Sequence, residues 1–254
     1  MRRLIHLILM AAFLGLLPLT AFGQVEAPLD EDTLREVFLY HNVPSDRKSV
    51  DFLPGKKHKF SLLKAECCVF WKEVKARVSW SVEPTTGAHI DPISGDFQVD
   101  QSTPPGSIFE IKANVEDGRR ILSLKVYIYT PETHPLVRIW EQKAEIACGT
   151  GETKTPEHPI RELAFYADGT FSVTRVPIEA MIDYWGTYTY DRKKGRIKFI
   201  VSEQSGHAPQ NRDVEGSLQF KDGDLILKGV WLGTRDEEYK GDVCGLIFSR
   251  PYWY

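Results

Sequence analysis

Apolar residues in this chain fall mostly at every second position. Phe109, Ile111, Ala113 and Val115 alternate with polar neighbours, Asp117-Gly118 interrupts them, and Leu122, Leu124, Val126 and Ile128 resume the alternation. A period of two puts the apolar set on one face of a strand, and Asp-Gly is turn chemistry, so residues 109–128 are predicted as a hairpin. Val78, Trp80 and Val82 repeat the pattern with the indole inward, and residues 90–99 join two short extended pieces through a tight turn. Several such strands bury their apolar faces by stacking as two sheets, a β-sandwich. Residues 30–40 break the rhythm: Leu34, Val37 and Phe38 share a helical face, and the same residues also suit an opening strand.

The second half has a different spacing. Residues 163–173 read as strand, Asp168-Gly169 turn and strand, and residues 184–190 as another extended run. Ile197, Phe199 and Val201 follow, then Leu218 and Phe220, a turn at Asp222-Gly223-Asp224, then Leu225 and Leu227, and last Leu246 and Phe248. Short turns between consecutive strands make a meander, and about eight such strands remove their own edges by closing into an up-and-down barrel. Between the halves, Pro131 and Pro135 cannot donate to a sheet ladder and mark a boundary.

The first residues set the compartment. Arg2 and Arg3 precede an apolar run from Leu4 to Leu19 and then Ala21-Phe22-Gly23, the order of a secretory leader. A run of roughly 16 residues is short for a membrane span, which needs about 20. The mature chain is therefore expected to start near Gln24, without a transmembrane segment, and to be exported to periplasm, cell surface or medium. Loss of Arg2 and Arg3 with the leader takes the formal charge from −3 to −5. A mildly acidic surface lacks the basic footprint of nucleic-acid binding. The expected organisation is a leader over 1–23, an N-terminal segment over 24–47, a sandwich over 48–130, a linker over 131–135, a barrel over 136–250 and an aromatic tail over 251–254.

Particular residues carry resemblances. Val50 to Gly55, Val78 to Val82, Ile90-Asp91 with Ser94-Gly95, Pro105-Gly106 and Val126-Tyr127 occur in the order seen in bacterial Ig-like domains, which residues 48–130 resemble. That family implies a spacer or adhesion module and brings no catalytic residues. Phe165 to Phe171, Tyr184-Trp185-Gly186-Thr187-Tyr188 and Cys244 to Phe248 are similar to small bacterial lipocalin-like domains, over residues 136–250. The Gly-x-Trp opening of lipocalins is missing, with Arg138-Ile139-Trp140-Glu141 near its place. The fold class expected is thus all-β, an Ig-like sandwich followed by an antiparallel lipocalin-like barrel.

Cysteine placement refines the picture. Cys148 and Cys244 flank the barrel segment, where the first and last strands of a closed meander are neighbours, so a disulfide across the seam is expected, the alternatives being two free thiols or pairing with Cys67 or Cys68. Cys67 and Cys68 are adjacent, and a bridge between residues about 3.8 Å apart would be strained, so they are expected on opposite faces of one strand.

Catalytic chemistry finds little footing. The 7 histidines show neither i, i+4 nor HxH spacing for a shared metal, and no GxSxG nucleophile elbow occurs. No catalytic residue, metal site or cofactor is assigned. The aromatic cluster Tyr184, Trp185, Tyr188 and Trp231 offers rings either to the barrel core or to a cup for a small apolar or carbohydrate-like ligand. The expectation is an exported, non-enzymatic binding protein. The alternatives are a structural or adhesive envelope protein engaging other proteins, and an envelope hydrolase.

Overall fold

The computed structural model describes residues 28–40, 49–67, 70–175, 182–202, 209, 213–233 and 241–251. The leader at 1–23 and the tail residues 252–254 lie outside the described residues, as does Cys68 of the vicinal pair. Among the described residues, no helix is long and apolar enough to cross a membrane.

The chain is nearly all β. A short helix, α1 (Glu31–Glu36), is followed directly by β1 (Phe38–Tyr40), so the ambiguous opening segment is helix and then strand. Asp30 caps the helix, its carboxylate accepting from the Thr33 N–H at 2.7 Å. Leu34 and Val37 anchor it in the N-terminal core. The N-terminal strands are β2 (Ser49–Phe52), β3 (Lys57–Lys59), β4 (Ser61–Cys67), β5 (Phe70–Glu73), β6 (Val78–Glu83), β7 (Ala88–Ile90), β8 (Asp96–Val99), β9 (Ile108–Val115) and β10 (Arg120–Ile128). They form three separate sheets, in the orders β1-β4-β5, β2-β10-β9-β6 and β3-β8-β7.

The predicted hairpin is β9–β10, with Phe109 opposite Val126 and Ile111 opposite Leu124. Its turn passes through Glu116, Asp117 and Gly118, all at positive φ, where Asp and Gly carry little steric penalty. The sheets share one core, in which the Phe60 ring lies 5.6 Å from Phe97 and 6.3 Å from both Phe52 and Trp80. Strand β2 pairs in parallel with β10, Ser49 opposite Lys125 and Phe52 opposite Ile128. Its alternation buries Val50 and Phe52 in that core and turns Ser49 and Asp51 the other way.

The rest of the chain forms β11 (Arg138–Ala147), β12 (Thr153–Lys154), β13 (Glu162–Phe165), β14 (Thr170–Thr174), β15 (Tyr184–Asp191), β16 (Arg196–Val201), β17 (Asp213–Lys221), β18 (Asp224–Lys228) and β19 (Val243–Ser249). Each strand from β13 to β19 pairs antiparallel with the next, and β19 returns to β11, which also pairs with β13. The result is a closed eight-stranded antiparallel barrel, with β12 as a short addition on β11. Closure removes the sheet edges that would otherwise invite pairing with another chain.

The Cys148–Cys244 disulfide sits on this seam, with 5.0 Å between Cα atoms, and the Cys148 N–H donates to the Asp242 carbonyl at 2.8 Å. Inward residues from all around the barrel fill its interior, among them Trp140, Phe165, Phe171, Tyr184, Phe199, Leu227 and Phe248. This second core is separate from the first.

Candidate functional site

The two ends of the barrel differ. At the linker end the strands are joined by the short turns 166–169, 192–195 and 222–223; at the far end the connections are 148–161, 175–183, 202–212 and 229–242. The far end is stoppered by buried Ile160, Val230 and Leu232. Two side chains pin the last of these: Tyr184 Oη donates to the Leu232 carbonyl at 2.7 Å, and Arg175 reaches the same oxygen at 3.1 Å and the His158 carbonyl at 2.7 Å.

The linker end carries a cleft of about 220 Å³. Strand β15 supplies one wall, because Tyr184, Gly186, Tyr188 and Tyr190 follow one another on its inner face and the last two emerge at this rim. Gly186 keeps the row in register with its neighbours: a Cβ there would run into the Ile200 carbonyl and stand 2.9 Å from Phe171 Cε1. The Tyr188 ring meets Phe165 edge-on at 4.8 Å, and its hydroxyl donates to the Tyr166 carbonyl at 3.0 Å.

The β13–β14 turn forms the cleft's second wall through Ala167 and Gly169. Asp168 shapes this turn by accepting from the Thr170 N–H at 2.9 Å, and Gly169 at φ 80° closes it. The linker is the third wall, contributing Thr133, His134 and Pro135, with Leu136 just beyond it. Arg192 ties the linker down by donating to the Glu132 carbonyl at 2.9 Å.

The cleft is electrically quiet. Burial lowers the His134 imidazole, which lies 2.9 Å from Thr133 Oγ1, so it stays neutral at pH 7. Burial, reinforced by the carboxylates of Asp51 and Asp168, raises the Tyr188 phenol far above its ordinary value. The wall is therefore two phenols, a neutral imidazole and apolar surface, which can stack on a ring and exchange hydrogen bonds with hydroxyls. Among the described residues, no group of three or more His, Cys, Asp and Glu side chains is placed to hold a metal ion.

The structure does not gather the four aromatic residues singled out in the sequence. Tyr188 lines the cleft. Tyr184 is fully buried in the barrel core, four residues or roughly 13 Å back along the strand. Trp185 faces outward and is 39% exposed, beside the outward-facing β16 surface that carries Ile200. Trp231 lies in the connection after β18, its ring against Gly233 at the stoppered end. Tyr190 and His134 were missed. Tyr190 extends the alternation of Tyr184 and Tyr188 by one more step and was legible in it, whereas His134 carries no local signal beyond its place beside Pro135.

A larger and shallower groove of about 350 Å³ lies on the N-terminal sheets. Phe60, Leu62 and Trp80 of the core form its floor, and Lys59, Glu73 and Lys75 stand around it. The smaller cleft is the stronger candidate, since aromatic and neutral polar groups converge there from three separate segments.

No family model and no curated protein matches this sequence. Among solved structures it is similar to a structural-genomics protein of unknown function from Bacteroides ovatus, at 7% identity over 84% of this chain and 92% of that one, with a TM-score of 0.25. It is also similar to the extracellular cadherin domains 1–4 of protocadherin gamma B7, at 8% identity over 85% of this chain and 50% of that one, with a TM-score of 0.24. Likenesses at these TM-scores carry no argument about function, which rests on the geometry of the site.

Proposed function

We propose that this chain is an exported, non-enzymatic binding protein whose barrel takes one ring of a carbohydrate-like or small apolar ligand in the cleft at its linker end. The observation that carries this reading is the convergence of Tyr188, Tyr190 and neutral His134 on a space of about 220 Å³. Pockets for drug-sized molecules run from about 300 Å³ upward, so the cleft suits a single ring or the terminal unit of a polymer. The packed interior favours binding at the rim over enclosure of a ligand as in a lipocalin-like carrier. In this reading residues 48–130 form the Ig-like module and residues 136–250 the lipocalin-like one. The leader pattern and the Cys148–Cys244 disulfide support an oxidising, exported location.

The test is a titration of the mature protein with methyl glycosides and envelope oligosaccharides, followed by NMR. Signals of Ala167, Gly169, Tyr188 and Tyr190 are expected to shift together, and Tyr190→Ala to abolish the effect while Trp185→Ala preserves it. If saturating glycosides and small aromatic compounds leave those signals in place, the reading is wrong.

The second reading is a structural or adhesive envelope protein that engages other proteins. The solid barrel core and the outward Trp185 and Ile200, 39% and 44% exposed, favour it. Loss of a cross-linked envelope partner on Trp185→Ser would select this reading.

A further inference from the structure

The cleft is lined by the linker and the barrel, and the N-terminal sheets contact the barrel turn that forms one of its walls. Ser49 and Asp51 occupy the face of β2 that turns away from the N-terminal core. Ser49 is only 8% exposed, and its hydroxyl donates to Asp168 Oδ2. The other oxygen of that carboxylate receives the Thr170 N–H at 2.9 Å and the Thr170 hydroxyl at 2.5 Å. Asp168 sits between Ala167 and Gly169, the two turn residues that wall the cleft. One carboxylate thus joins a strand of the N-terminal sheets to the wall of a barrel site.

Asp51 lies on the same face of the strand. Asp51 Oδ1 is buried, and its carboxylate stands close enough to act on the Tyr129 and Tyr188 phenols, which belong to opposite sides of the junction. Arg138, the first residue of β11, acts in turn on Tyr129, and its guanidinium lies 5.2 Å from the centre of the Trp140 ring. A spacer on a free joint has no use for a part-buried, charge-assisted hydrogen bond of this kind, which orders both partners and requires desolvating a carboxylate.

We infer that Ser49 is a positioning residue of the cleft, so that the site is composite and keeps its shape only while the N-terminal sheets are docked on the barrel. This rests on the proposed cleft as the binding site and goes further by giving the N-terminal region a part in it. Ser49 fixes the backbone of the 166–169 turn through Asp168 and does not touch the ligand. Loss of the Ser49 hydroxyl leaves Asp168 short of one charge-assisted hydrogen bond, which frees the turn to move and the regions to reorient.

The experiment uses the full mature chain and the variants Ser49→Ala, Ser49→Thr and Asp168→Asn. Residual dipolar couplings measure the relative orientation of the two regions, chemical shifts report the cleft, and methyl β-glucoside serves as the binding probe. In the parent protein one alignment tensor is expected to fit both regions. Ser49→Ala and Asp168→Asn should need two tensors, shift the signals of Ala167, Gly169 and Tyr188, and leave those of Phe109 and Phe199 in the two cores unmoved. Glucoside binding should weaken about tenfold in Ser49→Ala, the scale of one hydrogen bond to a charged group, and recover in Ser49→Thr. A single tensor and unshifted cleft signals in Ser49→Ala would overturn the inference. Divergent tensors with no glucoside binding by any form would instead retain the positioning role and discard the ligand class.

Discussion

The disulfide on the barrel seam gives the sharpest quantitative test of how the barrel is held closed. Replacing both Cys148 and Cys244 by Ser removes a link between residues separated by 96 positions. In the chain-entropy model a loop of that length restricts the unfolded state by about 4.7 kcal/mol, a ceiling that residual structure lowers; native disulfides typically contribute about 2–5 kcal/mol. The folded barrel should survive the change. β11 and β19 remain paired from Glu141 opposite Ser249 to Ala147 opposite Val243, and the inward residues of both strands stay in the core. The stretch from Arg138 to Ser249 holds roughly 110 residues, and an unfolding entropy of about 2.1 cal/mol/K per residue converts each kcal/mol to about 4 °C. The expected fall in Tm of the barrel transition is therefore about 8–20 °C, measured by calorimetry at neutral pH. Reductant should reproduce it in the parent and do nothing to the double variant. A fall of under about 2 °C would mean that the ladder alone restricts the chain and that the entropic argument fails here.

Gly186→Ala should cost about 1–3 kcal/mol or more in urea denaturation, because the new Cβ meets the Ile200 carbonyl and the Phe171 ring; an unchanged midpoint would show that β15 can shift freely. Tyr184→Phe should cost about 1 kcal/mol, near the lower end for a buried hydrogen bond, since the Leu232 carbonyl keeps its bond from Arg175; a loss above about 3 kcal/mol would contradict that substitution of donors. Glu116 is buried, which alone would raise its carboxyl, but hydrogen bonds from the Arg77 side chain and backbone N–H outweigh burial and hold it below the ordinary 4.5. A depressed folded value means stability that is present above pH 4.5 and lost as pH falls through the lower folded value, so Glu116→Gln should be less stable than the parent at pH 7, with the gap narrowing as the pH is taken below 4.5. A stability gap that stays constant across that range would refute the ion-pair account.

Local pattern was enough to define most strands. Alternation at 109–115 and 122–128 specified the β9–β10 hairpin with its buried face, and the Asp-Gly pairs at 117–118 and 168–169 fell on turns, because side-chain direction in a strand and positive φ in a turn are decided by near neighbours. The seam disulfide was also legible, since closure of a meander makes its terminal strands adjacent whatever their separation in sequence. The parallel pairing of β2 with β10 was not, because a parallel ladder joins distant segments and leaves no turn between them to read.

The site divides along the same line. Composition told that Tyr184, Trp185, Tyr188 and Trp231 were aromatic residues in need of partners, and alternation separated Tyr184 and Tyr188 from Trp185. Only the closed barrel decided how far along the inner row the packing stops: Tyr184 lies at the stoppered end beneath Leu232, while Tyr188 and Tyr190 reach the rim. Likewise Ser49 and Asp51 read as ordinary polar positions of a strand until the N-terminal sheets dock and bring Ser49 to a carboxylate 119 residues away. Sequence determines which face a side chain takes because that is a matter of adjacent dihedral angles, whereas what the face meets depends on contacts between segments that the chain itself keeps far apart.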